Sequence, residues 1–451
     1  MRRFVLITAV ALIAAAAWQF ATSRAPSDPE VTLYDRSPSH AWNRLYVALL
    51  VREDGSGNPV ESNPLDPLLW RETEHLLTGA SHRLALSVLD EFLRTQGEKE
   101  IRDPVKKAIL QRDLWAVFDW TAIIGGEHAS ERRQLQIRLA EVIRRLSLTA
   151  GEIKSLPDNY EQAVASREFA KEYDRANRER AFLPFDLLDP RGPWVCIRGD
   201  HGPVAEMHVG ETSGRSRFLV FVRLPGGRQA TLDYFQALWN VPDPWNTGQI
   251  DVGRGELNPN LPQFPVGTQV ALLRQMMTFD RDGVLVATPI TESLQIRVYR
   301  AITSRRDRND IGVDWPAARS EQDFYEFRLS PAQLFAGRVG GLRAIDRRET
   351  EFPVFQTQGF DPFEFSVKKH EPLEKSEGRI LDRCVICHSA PGINSMQSRR
   401  KLLKPNAEQT DPQSTYDSMW WESENTLAWK ASRYDWGLLN GYWRVSSSSF
   451  R

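Results

Sequence analysis

Two thiols and an imidazole stand together near the C-terminus, in the run Cys384-Val385-Ile386-Cys387-His388. Three chemistries use such a C-x-x-C pair. A redox dithiol places it at the start of a helix in a βαβ setting. The residues before it, Glu371 to Arg383, are mostly polar and charged and offer no clear strand. A zinc site needs four ligands, so this single pair would have to recruit His388 and a group such as His370. The third chemistry is covalent haem attachment, whose sequence is C-x-x-C-H. Thiols one helical turn apart reach the two porphyrin vinyl groups and form thioethers. The adjacent imidazole is thereby carried to the iron as its proximal ligand. With 3 cysteines and 8 histidines in 451 residues, the pattern has a chance expectation of about 2 × 10⁻⁴. We take forward the haem reading, with Cys384 and Cys387 as anchors of one haem c and His388 as iron ligand.

Through Cys384, Cys387 and His388 the sequence resembles the c-type cytochromes. The resemblance covers only the motif, and it implies a haem iron used for single-electron transfer with a redox partner protein. In the common small soluble members the motif sits early in a compact helical domain, with a distal Met well downstream. Here little chain follows the motif, and Pro391-Gly392 interrupts any helix at once. The usual cytochrome domain is therefore not expected. The whole arrangement is also similar to exported bacterial proteins that end in a lone C-x-x-C-H segment, a likeness that brings no activity with it.

The sixth iron ligand decides between chemistries. By residue type the candidates are Met419, Met396 and His370. Each also has a plain reading, as packing for the two methionines and as a solvated side chain for His370. An iron with no sixth protein ligand would favour ligand binding or peroxide chemistry over electron transfer. Two alternatives thus stand beside electron transfer. One is a haem enzyme or gas sensor with an open iron face. The other is an envelope interaction protein in which the haem segment is accessory.

The elements that must position this motif fall into blocks. Residues 1–23 read as a signal peptide or N-terminal anchor: Arg2-Arg3, an apolar run from Val5, then small residues at Ala21 and Ser23. The chain is expected to be exported, to a periplasm or the outer face of a cytoplasmic membrane, with a possible tether through this segment. Covalent haem attachment outside the bacterial cytoplasm fits that expectation. Residues 24–39 read as a linker. Residues 40–182 carry a helical period through Leu76, Leu77, Leu84, Leu86, Leu89 and Leu93, and through Leu135, Ile137, Leu139, Val142, Ile143 and Leu146. The run Asp113 to Trp120 reads as a buried helix with two aromatic anchors. Glu131-Arg132-Arg133 and Arg144-Arg145 read as a solvated face.

Residues 190–345 read as β-rich. Arg217–Leu224 is a strand before the Pro225-Gly226-Gly227 turn, and Val270–Met277 pairs with Val284–Thr288 across Asp280–Gly283 as a hairpin. Leu294–Arg300 alternates as a further strand, and Gln229–Trp239 is a helix. Asn240–Gly267 is a long loop dense in Pro, Gly and Asn. Residues 346–451 read as an irregular to helical haem-bearing segment holding five of the 14 tryptophans: Trp420, Trp421, Trp429, Trp436 and Trp443. These have no strict helical spacing and are expected to anchor the tail. The fold class expected is α+β.

Composition removes other classes. Lys and Arg number 58 against 59 Asp and Glu, so no basic surplus points to nucleic acid. Three cysteines cannot make a disulfide framework. Cys196, Asp200, His201, Glu206 and His208 lie close in sequence, but their order matches no standard ligand spacing. They read as structural, with Cys196 a buried thiol. Arg399-Arg400-Lys401 and Lys404 read as a solvated face, with haem propionates or an acidic redox partner as the alternative. No hydrolase, phosphate-loop or dinucleotide motif appears.

Overall fold

The computed structural model describes residues 37–53, 59–61, 74–199, 202–241, 245–246, 256–257, 261–302, 321–351, 378–382, 385, 388, 391–396 and 414–448. Residues 1–23, most of the 24–39 linker, His370, Cys384, Cys387 and the basic run from Arg399 to Lys404 lie outside them. The protein is of mixed α+β class. No helix among the described residues is long and apolar enough to cross a membrane.

The N-terminal part is helical: α1 (Ala41–Leu50), a small β1 (Val51–Glu53) and β2 (Pro59–Glu61) pair, α2 (Gly79–Thr95), α3 (Pro104–Thr121), α4 (Ala129–Leu146), α5 (Ala150–Lys154) and α6 (Asn159–Ser166). Local chemistry sets their starts. Asp103 accepts from the Val105 amide and Pro104 occupies the first turn of α3. Thr149 and Glu152 form a reciprocal capping box on α5. Helix α3 is buried on nearly every side, with Trp115 and Trp120 inside as its sequence suggests. Leu84 and Ile137, which fit the helical period by type, are exposed instead. Of the α4 arginines read as a solvated face, Arg133 is exposed, but the other three are tied to carbonyls. Arg132 donates to the Gly125 carbonyl, Arg145 to that of Leu93, and Arg144 to that of Trp443.

The centre is a six-stranded antiparallel sheet of order β10-β9-β8-β7-β4-β3. Its strands are β3 (Val195–Ile197), β4 (Ser216–Arg223), β7 (Gln269–Phe279), β8 (Leu285–Tyr299), β9 (Gln322–Leu329) and β10 (Leu342–Ala344). Between them come α7 (Glu206–Glu211), α8 (Gly227–Trp239), the two-residue pair β5 (Trp245–Asn246) and β6 (Glu256–Leu257), and, after β9, α9 (Pro331–Phe335). The predicted hairpin forms, but the two strands expected over 284–300 are one. Pro289 sits inside β8 where the register against β7 shifts at Gln275. Irregular pairing there tolerates a residue with no amide hydrogen.

Side chains alternate across the sheet, so each face meets its own cluster. Leu219, Phe221, Ala271, Leu273, Leu294 and Ile296 pack with Tyr160, Phe182 and Trp194 on one face. Val220, Val222, Val270 and Tyr299 pack with Phe235, Leu238, Phe264 and Ile393 on the other. The far ends of β7 and β8, through Met276, Phe279 and Ile290, enter the core of the N-terminal helices.

The tail is more regular than its sequence suggests. After β11 (Thr350–Glu351), β12 (Gly378–Arg379) and the turn-length α10 (Ile393–Met396) come two long helices, α11 (Ser414–Ala431) and α12 (Tyr434–Ser448). Trp436, Leu439 and Trp443 of α12 insert into the helical core, where the Trp443 indole donates to Ala140 O at 2.9 Å. These two tryptophans do anchor the tail, whereas Trp420 and Trp421 are exposed.

Candidate functional site

His388 is held on the sheet face that carries Tyr299, by Ser395 of its own segment and by Gln322 of β9. Its Nδ1 lies 2.7 Å from the Ser395 carbonyl oxygen. A carbonyl only accepts, so the proton is on Nδ1 and the lone pair is on Nε2. The His388 carbonyl in turn accepts from Gln322 Nε2 of β9 at 3.1 Å. Burial, with the nearby Arg297 charge, pushes the imidazole pKa down to about 3. His388 is thus neutral at physiological pH, the form that ligates a metal.

Ser395 is the joint that fixes this imidazole. Its hydroxyl meets Tyr299 Oη at 2.5 Å, accepts from Arg297 Nη1 at 2.9 Å and lies 2.8 Å from the Gly392 carbonyl. Ile393 anchors the same turn in the apolar cluster, and its amide donates to Gln263 Oε1 at 2.7 Å. Gly392 adopts φ +50°, and a Cβ there would come within 2.0 Å of that Gln263 oxygen. Glycine is required by both conformation and space. The Pro391-Gly392 break thus serves as the turn that carries Ser395 back to His388.

The structure brings a second imidazole to the same place. His208 of α7 lies with its ring centroid 6.2 Å from that of His388, the two planes 17° apart. Its other neighbours are the Phe218 ring of β4, at 5.5 Å, and the Glu211 carboxylate, 3.4 Å from His208 Nδ1. The loop leading into α7 is clamped by α11. Glu422 accepts from the amides of Gly199 and Val204 at 2.5 and 2.8 Å, while Asn425 donates to the carbonyls of Gly199 and Gly202. Burial pushes the Glu422 carboxyl up to about 7, against the pull of those amide donors.

The other residues singled out by sequence fall elsewhere. Met396 packs beside the Tyr299-face cluster, and Met419 at the margin of the cluster on the opposite face. Cys196 is buried on that opposite face and free, its thiol pKa raised by burial. It does not share a face with His208. Asp200 and His201 lie outside the described residues. Among the described residues Glu74, Glu127 and His128 bring ligand atoms within 4.8 Å of one another, far in sequence from the motif.

His208 is the residue that sequence reasoning passed over as a partner for His388. It stands 180 residues before it, and no spacing rule joins positions that only a sheet brings together. Comparison with protein-family models, with curated proteins and with solved structures gave no match.

Among the described residues of the motif, His388 has the form that a haem iron would require. The test is His388 itself, whose Nδ1–H is committed to a carbonyl and whose Nε2 lone pair is left for iron. That second-shell bond fixes the tautomer and orientation of a ligating histidine.

Proposed function

We propose that the protein is an exported electron-transfer protein carrying one haem c, anchored through Cys384 and Cys387 and ligated by His388. The observation that carries this reading is the neutral His388 imidazole tied through Nδ1 to Ser395, at the end of a C-x-x-C-H run. Bound there, the haem supplies an iron that gains and loses one electron. The chain's own residues do the rest. Ser395 and Gln322 hold the ligand segment on β8 and β9, and Gly392 shapes the turn between them. Arg297 and burial keep the imidazole unprotonated, so it stays in the ligating form through the physiological range. A partner protein supplies or receives the electron, and the N-terminal segment directs export.

The test is co-expression of the full chain with a haem-maturation system, then a haem stain on a denaturing gel and reduced and oxidised spectra. A stained band at the mass of this chain, lost in the Cys384→Ser/Cys387→Ser variant, is expected. The absence of a band in the unaltered protein under competent maturation conditions overturns the proposal.

A further inference from the structure

The motif offers one iron ligand, and the fold places a second imidazole with its ring centroid 6.2 Å from it. We propose that His208 is the sixth ligand of the haem iron, making the site a bis-histidine centre built from segments 180 residues apart. The inference rests on the haem reading above and deepens it.

Distance is the first argument. An iron bound by one nitrogen from each of two imidazoles, at about 2 Å on either side, sets the ring centroids about 6 Å apart. The rings of His208 and His388 are 6.2 Å apart and nearly parallel. Tautomer is the second. His388 commits Nδ1 to the Ser395 carbonyl, and His208 has Nδ1 facing the Glu211 carboxylate at 3.4 Å. A carboxylate or a backbone carbonyl on one ring nitrogen is the usual outer partner of a metal-bound histidine, and it reserves the other nitrogen for the metal. Two imidazoles in merely structural contact have no need of both.

Support is the third argument. A ligand must be held in place by its neighbours rather than left to find the metal. Val209, the next residue, is buried, and Phe218 lies against the His208 ring. Glu422 and Asn425 fasten the entry loop to α11. Gly199 permits that loop its close return, since a Cβ there would meet the Gly202 carbonyl oxygen at 2.2 Å. The two methionines compete less well, because each lies against an apolar cluster.

The experiment uses the full haem-loaded chain and its spin state. The unaltered protein is expected to be low-spin in both oxidation states and to give no spectral change with carbon monoxide. In His208→Ala the haem stain is expected to remain while the spectrum turns high-spin and responds to carbon monoxide. Added imidazole should then restore the low-spin spectrum. If His208→Ala does not accumulate, His208→Met serves. It should show a sulfur-to-iron charge-transfer band that the unaltered protein lacks. A high-spin or carbon-monoxide-responsive unaltered protein overturns the proposal, as does a low-spin His208→Ala or a His208→Met with an unchanged spectrum. In each of these cases the haem stain persists, so the attachment reading survives. An unstained unaltered protein overturns both.

Discussion

Lys430 offers the sharpest test of how the tail is held. It is almost wholly buried on α11, with its Nζ 2.8 Å from Asp119 Oδ2 of α3 and 3.1 Å from Asp435 Oδ2 of α12. Arg215 reaches the same Asp119 oxygen at 2.7 Å. Two cations therefore face two carboxylates, and the group is balanced. Lys430→Met keeps the aliphatic stem that lies against Gly214 and removes only the charge. One cation is then left for two buried carboxylates, and breaking a buried pair in this way costs about 3–5 kcal/mol. Adding Asp435→Asn restores one cation to one anion, so the double variant should recover about 2 kcal/mol or more relative to additivity. Burial already raises the Asp119 carboxyl pKa, and Lys430 and Arg215 oppose it. Without Lys430 that pKa rises further. The folded chain then holds a proton the unfolded chain has released, so the variant loses stability as pH rises. The assay is urea unfolding of the full chain followed by far-ultraviolet circular dichroism at pH 5 and pH 8. A loss below about 1 kcal/mol at pH 8 would refute the reasoning, and so would a double variant no more stable than the single one.

Two further outcomes follow from buried polar groups that join elements. Glu292 of β8 is buried, and against that burial Arg274 and Arg112 hold its carboxyl down to about 2. Its stabilisation is therefore present above the usual carboxylate pKa near 4.5 and lost as pH falls toward 2, amounting to about 3 kcal/mol at most. Glu292→Gln should be less stable at pH 7 and should show a shallower acid limb in urea unfolding between pH 5 and pH 3; an unchanged limb contradicts this. Ser395→Ala leaves the buried Tyr299 hydroxyl without its partner at 2.5 Å, at a cost of about 1–3 kcal/mol. The carbonyl that orients His388 is retained, so the melting temperature should fall while the haem stain persists. An unchanged melting temperature counts against the role given to Ser395.

How much of this could be read from sequence depended on what each element buries. Helix α3 and the β7–β8 hairpin were legible because their inward residues are apolar and their turn chemistry is plain, as at Asp280–Gly283. Helix α11 was not. Its buried stripe is Ser418, Glu422, Thr426 and Lys430, polar residues at a strict spacing of four, while its adjacent tryptophans Trp420 and Trp421 face out. A search for apolar periodicity reads that pattern inside out. The two charged groups have specific partners on other elements: Glu422 takes two loop amides, and Lys430 meets two carboxylates. Such partners are invisible until the fold is known. Within the site, His388 was legible from five residues of sequence. Its bond to Ser395 and its approach to His208 were not, because one depends on a turn and the other on strand order.

The same helix explains why so long a chain surrounds so short a motif. On α11, Glu422 and Lys430 are two turns apart, a rise of about 12 Å. One end fastens the loop that carries His208, and the other fastens the helix to α3 through Asp119, which Arg215, just before β4, also holds. His388 is fastened separately, to β8 through Ser395 and to β9 through Gln322. Two imidazoles that approach from α7 and from the motif can hold a fixed spacing only if the sheet between their anchors is rigid. That sheet is braced in turn by the N-terminal helices at the far ends of β7 and β8. The motif-free helices and strands therefore have a physical task in the proposed site, which is to keep two distant ligands in register. An account of the protein's length need not begin by seeking a second activity in them.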